Sequence, residues 1–395
     1  MVLIRSKLVL NAAWALAKAT TITTRYCSVR RQFARFAGNV QKSDTKALIG
    51  SKEEVTVINH PMVQYRLFPL IAQAYAMHFT GLHMNAMFAQ LEQGLANGDV
   101  SNLPEVHALS SALKSFCTGI AGDGIEEARK VCGGHGYSAS GGFSHLYTNY
   151  VAAQTYEGTS LGRESSREPH VLTYDFLHAG ENYLLTQQTI RYLLKKLRKA
   201  QKQGPRVFSQ LEQYLARTPT TLLQERCEAK SSSDWLDPKM QLAAFGHRAA
   251  RLLFDTAFAL LSGTGWSDLN IECARASHAH SAYVIVLIFQ EKLKEIKLSE
   301  PIIYEVLKKV CDLYALSTME KDLSEFMEDG YVYPKQAKWI RDEVKVLLGH
   351  MKREVVGLCD AWGFSDYHLN SVLGRNDGNV YDNLYEWYVD PFHIF

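Results

Sequence analysis

Two short stretches of this chain carry residue types that can do chemistry. Residues 132–137 read Cys-Gly-Gly-His-Gly-Tyr, and residues 154–158 read Gln-Thr-Tyr-Glu-Gly. Gly133, Gly134 and Gly136 leave a length of backbone with almost no side chains. Such backbone takes positive φ at little cost and lets a large flat ligand approach closely. Glu157 offers a single carboxylate between Tyr156 and Gly158. An aromatic, weakly polar setting raises a carboxyl pKa toward neutrality, as a general base requires. Each stretch also has a plainer reading: a helix C-cap followed by a turn for the glycines, and a solvated side chain for the glutamate.

Helices must position these residues. Leu3–Val29 is apolar on a broad helical stripe and alanine-rich over 12–19. Ala34–Val57 is polar and glycine-containing, and reads as a loop. Met62–Leu95 reads as a long helix, with Leu67, Leu70, Ile71, Ala74 and Tyr75 at spacings of three and four. After a break at Gly94–Ser101, a helix begins near Pro104 and carries Val106, Leu109, Leu113, Phe116 and Ile120, the stripe of a bundle core. It ends near the Cys132–Gly136 glycines. Glu181–Ala200 is helical, and its closing lysines and arginine suit the helix dipole. Leu242–Gly263, Cys273–Leu298, Ile302–Leu316, Lys335–Cys359 and Val380–Tyr388 read as further helices. Val284–Ile288 is β-branched enough to pass for a strand, but its flanks favour helix. No run of alternating strands appears. The expected fold is all-α, two helical bundles in series (1–201 and 239–395) joined by a linker at 202–238.

Composition narrows the classes. The chain has 395 residues, 47% hydrophobic and 21% charged, which fits a globular protein of more than one domain. A net charge of +2, with no basic run interleaved with aromatics, argues against a nucleic-acid partner. The 7 cysteines are scattered, so reduced, buried thiols are expected rather than a disulfide framework or a metal site. No apolar run is long enough for a membrane span. The first acid is Asp44, so the N-terminus is basic and acid-free like a transit peptide. The alternative, favoured here, is a folded helix whose arginines face a phosphate. The last residues, His393-Ile394-Phe395, are not a peroxisomal Ser-Lys-Leu signal.

Six motifs follow one another: Arg30-Arg31-Gln32-Phe33, Gln64–Leu70, Cys132–Ser138, Thr155–Gly158, Ser371–Arg375 and Asp377–Tyr381. In this order they resemble the C-terminal half of a peroxisomal acyl-CoA oxidase, from about Met1 to about Asp390. The resemblance implies an FAD-dependent enzyme of fatty-acid β-oxidation, placed in the peroxisome. Its partners would be a fatty acyl-CoA, molecular oxygen and a second copy of the chain in a homodimer. It assigns Glu157 the place of the catalytic base. It assigns Arg30, Gln32, Gly133 and Gly134 to FAD contacts, many of them to the partner subunit's flavin. A guanidinium suits a pyrophosphate because it is planar, permanently charged and bidentate. Phe33 would pack near the adenosine or the flavin, or else serve as a core aromatic. His135 has no assigned role, nor does Asp377–Asn379.

The chain also departs from the family pattern. Family members carry a helical domain and a β-domain upstream, and no sheet-rich segment precedes Arg30 here. The family runs from Glu-Gly directly into an acidic residue, Asn and a helix. Here that continuation appears at Glu181-Asn182, after an inserted Thr159–Gly180. Ala34 stands where the family has Gly. Two alternatives follow: an acyl-CoA dehydrogenase, disfavoured by the second helical domain, and a non-catalytic truncated relative serving as a dimerising helical module. The expected geometry is Arg30, Gln32 and Gly133–Gly136 on one concave surface completed by a homodimer, with Glu157 close by. The expected activity of the chain alone is low.

Overall fold

The computed structural model describes residues 2–33, 54–156 and 182–389. Among these residues the fold is all-α. Their one β pairing is an isolated bridge between Arg31 and Thr56. Glu157, Ala34, the Thr159–Gly180 insertion, Glu181 and the His393–Phe395 terminus lie outside the described residues.

The first three helices are α1 (Val2–Val29), α2 (Pro61–Ala96) and α3 (Leu103–Val131). Helix α1 contains Thr20-Thr21-Ile22-Thr23-Thr24, a β-branched run of poor intrinsic helix propensity. Burial overrides that preference. Thr20 and Thr23 return their hydroxyls to the carbonyls of Ala17 and Ala19, and Thr21 reaches that of Cys359. Helix α4 (Phe143–Val151) follows the glycine turn, and α5 (Asn182–Gln203) comes next. The later helices are α6 (Pro238–Leu261), α7 (Asn270–Ser299), α8 (Pro301–Lys321), α9 (Pro334–Met351) and α10 (Val380–Val389). The β-branched Val284–Ile288 lies inside α7, which is buried nearly all round because α5, α6 and α8 pack against it. The expected single helix over Lys335–Cys359 is instead two, α9 and a short Val355–Asp360 turn. No helix among the described residues is long and apolar enough to cross a membrane.

Two compact units are distinguished. One comprises Met1–Trp14, Ala72–Gly122 and Tyr150–Leu347; the other Ala15–Ile71, Asp123–Asn149 and Leu348–Phe395. In the first unit, α2 approaches α1 at Gly81, where a Cβ would lie 2.8 Å from the Leu10 backbone. Arg5 is fully buried and donates to the Ser111 hydroxyl at 2.8 Å. Residues 202–238 form packed helical turns, with Tyr214 and Trp235 buried and a capping box at Ser209 and Glu212. In the second unit, Gly124 of α3 admits the Leu16 side chain, and the Thr23 hydroxyl donates to the Ala128 carbonyl at 3.1 Å. Arg25 is buried, donating to Asp360 at 2.8 Å and to the Gly374 carbonyl at 2.8 Å. The expectation that the early arginines face a phosphate is therefore corrected for Arg5 and Arg25: both are spent on protein partners. All 7 thiols are buried.

Candidate active site

The residues expected to hold a cofactor cluster in the second unit. Arg30 caps the end of α1, its amide bonded to the Tyr26 carbonyl. Beyond it the chain pairs briefly with 54–57. Gln32 N–H donates to Val55, and the Gln32 carbonyl accepts from His60 Nε2 at 2.8 Å. Phe33 follows with φ +60, a conformation few bulky residues adopt. It is 68% exposed, and its ring meets the edge of His60, ring centroids 6.4 Å apart. The core-aromatic alternative for Phe33 is thereby excluded. A strained, exposed aromatic is more in keeping with a ligand contact.

The glycine turn caps α3. Gly133 has φ +62, and a Cβ placed on Gly133 or on Gly134 would meet nothing. Gly136 is different: its Cβ would fall 2.1 Å from the Arg129 carbonyl oxygen. The three glycines thus divide into two that leave a face open and one demanded by helix packing. His135 packs against Tyr26, ring centroids 5.8 Å apart. Burial pushes the Tyr26 phenol up to about 12, with the nearby Tyr381 adding to the effect.

Helix α10 ties the arginine and the glycine turn together. Arg30 Nη1 donates to the Tyr381 hydroxyl at 3.2 Å, and this bond raises the guanidinium pKa further. Seven residues on, the Tyr388 hydroxyl bonds Ser138 Oγ at 2.9 Å, directly after the glycine turn. Residues seven apart share a helix face, about 10 Å apart along the axis. Arg30 and the glycine turn are therefore held along one side of α10. Sequence reasoning included Tyr381 in a motif but did not see this role, because its partner lies some 350 positions away.

The two late motifs build this arrangement. Ser371 Oγ donates to the Gly141 carbonyl at 2.7 Å, and Val372 N–H to the Ser140 carbonyl at 2.9 Å, so Ser371–Arg375 buttresses the turn after the glycines. Asp377 accepts from Arg375 and from the Asn379 amide, and these bonds hold its carboxyl down to about 2. Gly378 supplies the positive φ of +72 that the turn needs. Asp377–Asn379, which had no assigned role, launches α10.

Gln154, three residues before the expected base, belongs to the first unit. Its carbonyl accepts from Lys114, and its side chain fills the space left by Gly122. Tyr156, beside Glu157, is 46% exposed.

Comparison with known proteins agrees with the motifs. A family model described as "Acyl-CoA oxidase, C-alpha1 domain" matches residues 1–161, and one described as "Acyl-CoA oxidase" matches residues 237–390. The chain is similar to the Homo sapiens peroxisomal acyl-coenzyme A oxidase 1, 34% identical over 98% of this chain and 54% of that protein. Among solved structures it is similar to Arabidopsis thaliana acyl-CoA oxidase 1, with TM-score 0.84 and 33% identity over 100% of this chain and 55% of the other. It is also similar to Caenorhabditis elegans acyl-CoA oxidase-1 complexed with FAD and ATP, with TM-score 0.81 and 30% identity over 100% of this chain and 54% of the other. The chain spans about half the length of the curated relatives it matches. On these matches, and on the order of its motifs, the chain belongs to the acyl-CoA oxidase family and corresponds to its C-terminal helical half.

Proposed function

We propose that this chain carries the cofactor edge and the general base of a peroxisomal acyl-CoA oxidase. The reaction is the conversion of a fatty acyl-CoA and O2 to trans-2-enoyl-CoA and H2O2 in fatty-acid β-oxidation. The observation that carries the reading is the alignment of Arg30 and the open Gly133-Gly134 backbone along one side of α10. FAD, when bound, supplies the acceptor for the β-hydrogen and its pair of electrons, and the route to oxygen. Arg30 offers a fixed positive charge to a pyrophosphate, oriented by Tyr381. Gln32 and Phe33 extend the same edge as polar and aromatic contacts. Gly133 and Gly134 let a flat ring lie on the backbone, since no side chain stands in the way. Glu157 is the group that takes the α-proton of the thioester. A homodimer would complete the edge with the partner's surface. We read residues 202–238 as the junction between the two family-matched regions, 1–161 and 237–390, and not as a break between the two compact units, the first of which runs through it.

The test is peroxide release from a long-chain acyl-CoA with added FAD, comparing the chain with Glu157→Gln, together with the visible spectrum of the purified chain. The expected result is bound oxidised flavin and at most slow peroxide release from the chain alone, which Glu157→Gln abolishes. A chain that takes up no flavin would sink the reading and leave the dimerising-module alternative ahead.

A further inference from the structure

Three residues on one face of α3 stand four apart: Lys114, Thr118 and Gly122. All three engage the chain on the two sides of residues 157–181. Lys114 is fully buried, and its Nζ donates to Asn182 Oδ1 at 3.0 Å and to the Gln154 carbonyl at 3.4 Å. Thr118 Oγ1 accepts from Asn182 Nδ2 at 3.0 Å, and the neighbouring Ser115 donates to the Asn182 carbonyl at 2.8 Å. At Gly122 a Cβ would fall 1.9 Å from Gln154 Nε2, so the glutamine amide occupies the place of a side chain there. Gln154 precedes Glu157 by three residues, and Asn182 opens α5. Farther up the same two helices, Ser111 donates to Gln188 and Thr189 to the Ala108 carbonyl, both at 3.4 Å.

A buried ammonium is costly unless its donors are satisfied. A lysine in this place is therefore a demand on its partners, and among the described residues Asn182 and Gln154 both come to it. Neither local periodicity nor apolar packing needs a lysine there.

We propose that the Lys114–Thr118–Gly122 stripe is a two-sided clamp that positions the Glu157-bearing segment, gripping Gln154, three residues before the base, and Asn182, where the helix resumes. The inference rests on Glu157 being the base, but the clamp is a physical claim of its own. It gives the inserted residues a way to be accommodated: the chain on either side of them is fixed to one helix, whatever their number. Loop length itself costs little, since closure entropy grows only logarithmically. In this assignment Lys114 acts through Gln154 and Asn182 and is a positioning residue.

Hydrogen exchange on the intact chain tests it. Lys114→Met is expected to raise exchange at least about tenfold in both 150–156 and 182–188, while 280–290 in α7 stays protected. Asn182→Asp loses the Nδ2 donor but keeps an acceptor for both the ammonium and the Thr118 hydroxyl, and is expected to stay much closer to the parent than Lys114→Met. Gly122→Ala displaces only the Gln154 amide, so it should raise exchange in 150–156 and spare 182–188; it keeps the test decisive if Lys114→Met fails to fold. Exchange that rises on one side only in Lys114→Met, or on neither side in any variant, overturns the clamp. In FAD-loaded protein that shows Glu157-dependent peroxide release, Lys114→Met should lower kcat about tenfold or more with KM nearly unchanged, as misplacement of a base does. An unchanged kcat would overturn the positioning role. A parent without peroxide release counts against the oxidase reading alone, because exchange still decides the clamp.

Discussion

Alanine at each glycine of the turn after α3 separates what folding needs from what a ligand needs. At Gly136 the new Cβ would sit 2.1 Å from the Arg129 carbonyl oxygen and 3.0 Å from Cys132 Cβ. The obstruction is helix backbone, which cannot swing aside as a flexible side chain would. Overpacking of this kind costs about 1–3 kcal/mol, and Gly136→Ala should lie at the upper end. At Gly133 the Cβ meets nothing, so the cost is that of a left-handed residue, about 1 kcal/mol. At Gly134 there is neither obstruction nor positive φ. Alanine there also restricts the unfolded chain, so stability should hold or rise by up to about 1 kcal/mol. The assay is guanidinium unfolding followed by circular dichroism, with flavin fluorescence titration on the same samples. The expected stability order is Gly134→Ala at or above the parent, then Gly133→Ala, then Gly136→Ala. Flavin affinity should break that order, with Gly134→Ala weakening FAD binding despite its sound fold and a valine there weakening it more. If Gly134→Ala costs as much stability as Gly136→Ala, the open face is wrong. If Gly134→Val folds and binds FAD normally, the turn does not face the cofactor.

Two further outcomes follow from buried groups. Burial lowers the His280 imidazole from 6.5 to about 4, and the Tyr214 hydroxyl bonds its Nδ1 at 3.0 Å. The unfolded chain therefore binds this proton first as pH falls: the stabilisation is complete above pH 6.5 and lost progressively toward pH 4, on the order of 3 kcal/mol in all. His280→Asn, which keeps a polar partner for Tyr214 but does not titrate, should flatten the stability profile between those values in pH-stepped denaturant unfolding; an unaltered slope would refute the assignment. Arg25→Met leaves the Gly374 carbonyl and Asp360 without their shared donor. Because Asp360 is 43% exposed and can rehydrate, a cost of about 2 kcal/mol is expected rather than the 3–5 of a fully buried pair. Arg25→Lys should recover only part of it, and a loss below about 0.5 kcal/mol would show that Arg25 is not the tie between α1 and 360–374.

The division between sequence and tertiary structure follows the range of the interactions. Helical spacing is a local signal, so the all-α class and the extents of α2, α3 and α7 were legible from periodicity alone, even across the β-branched Val284–Ile288. The ordered motifs identified the family, because their residue types answer to one chemistry. What periodicity could not distinguish was the purpose of like residues. Gly134 and Gly136 are equivalent on paper, and only the position of the Arg129 carbonyl makes one open and the other obligatory. Arg5, Arg25 and Arg30 read as one basic run, yet two are spent inside the protein and one faces outward to Tyr381. Lys114 follows Leu113 of the core stripe, and only the packed helices show Gln154 and Asn182 meeting on it. Gly136 answers to a carbonyl seven residues back, but the arginines and Lys114 are set by partners far away in the chain. Such contacts leave no trace in a local pattern, since they exist only once the helices have packed.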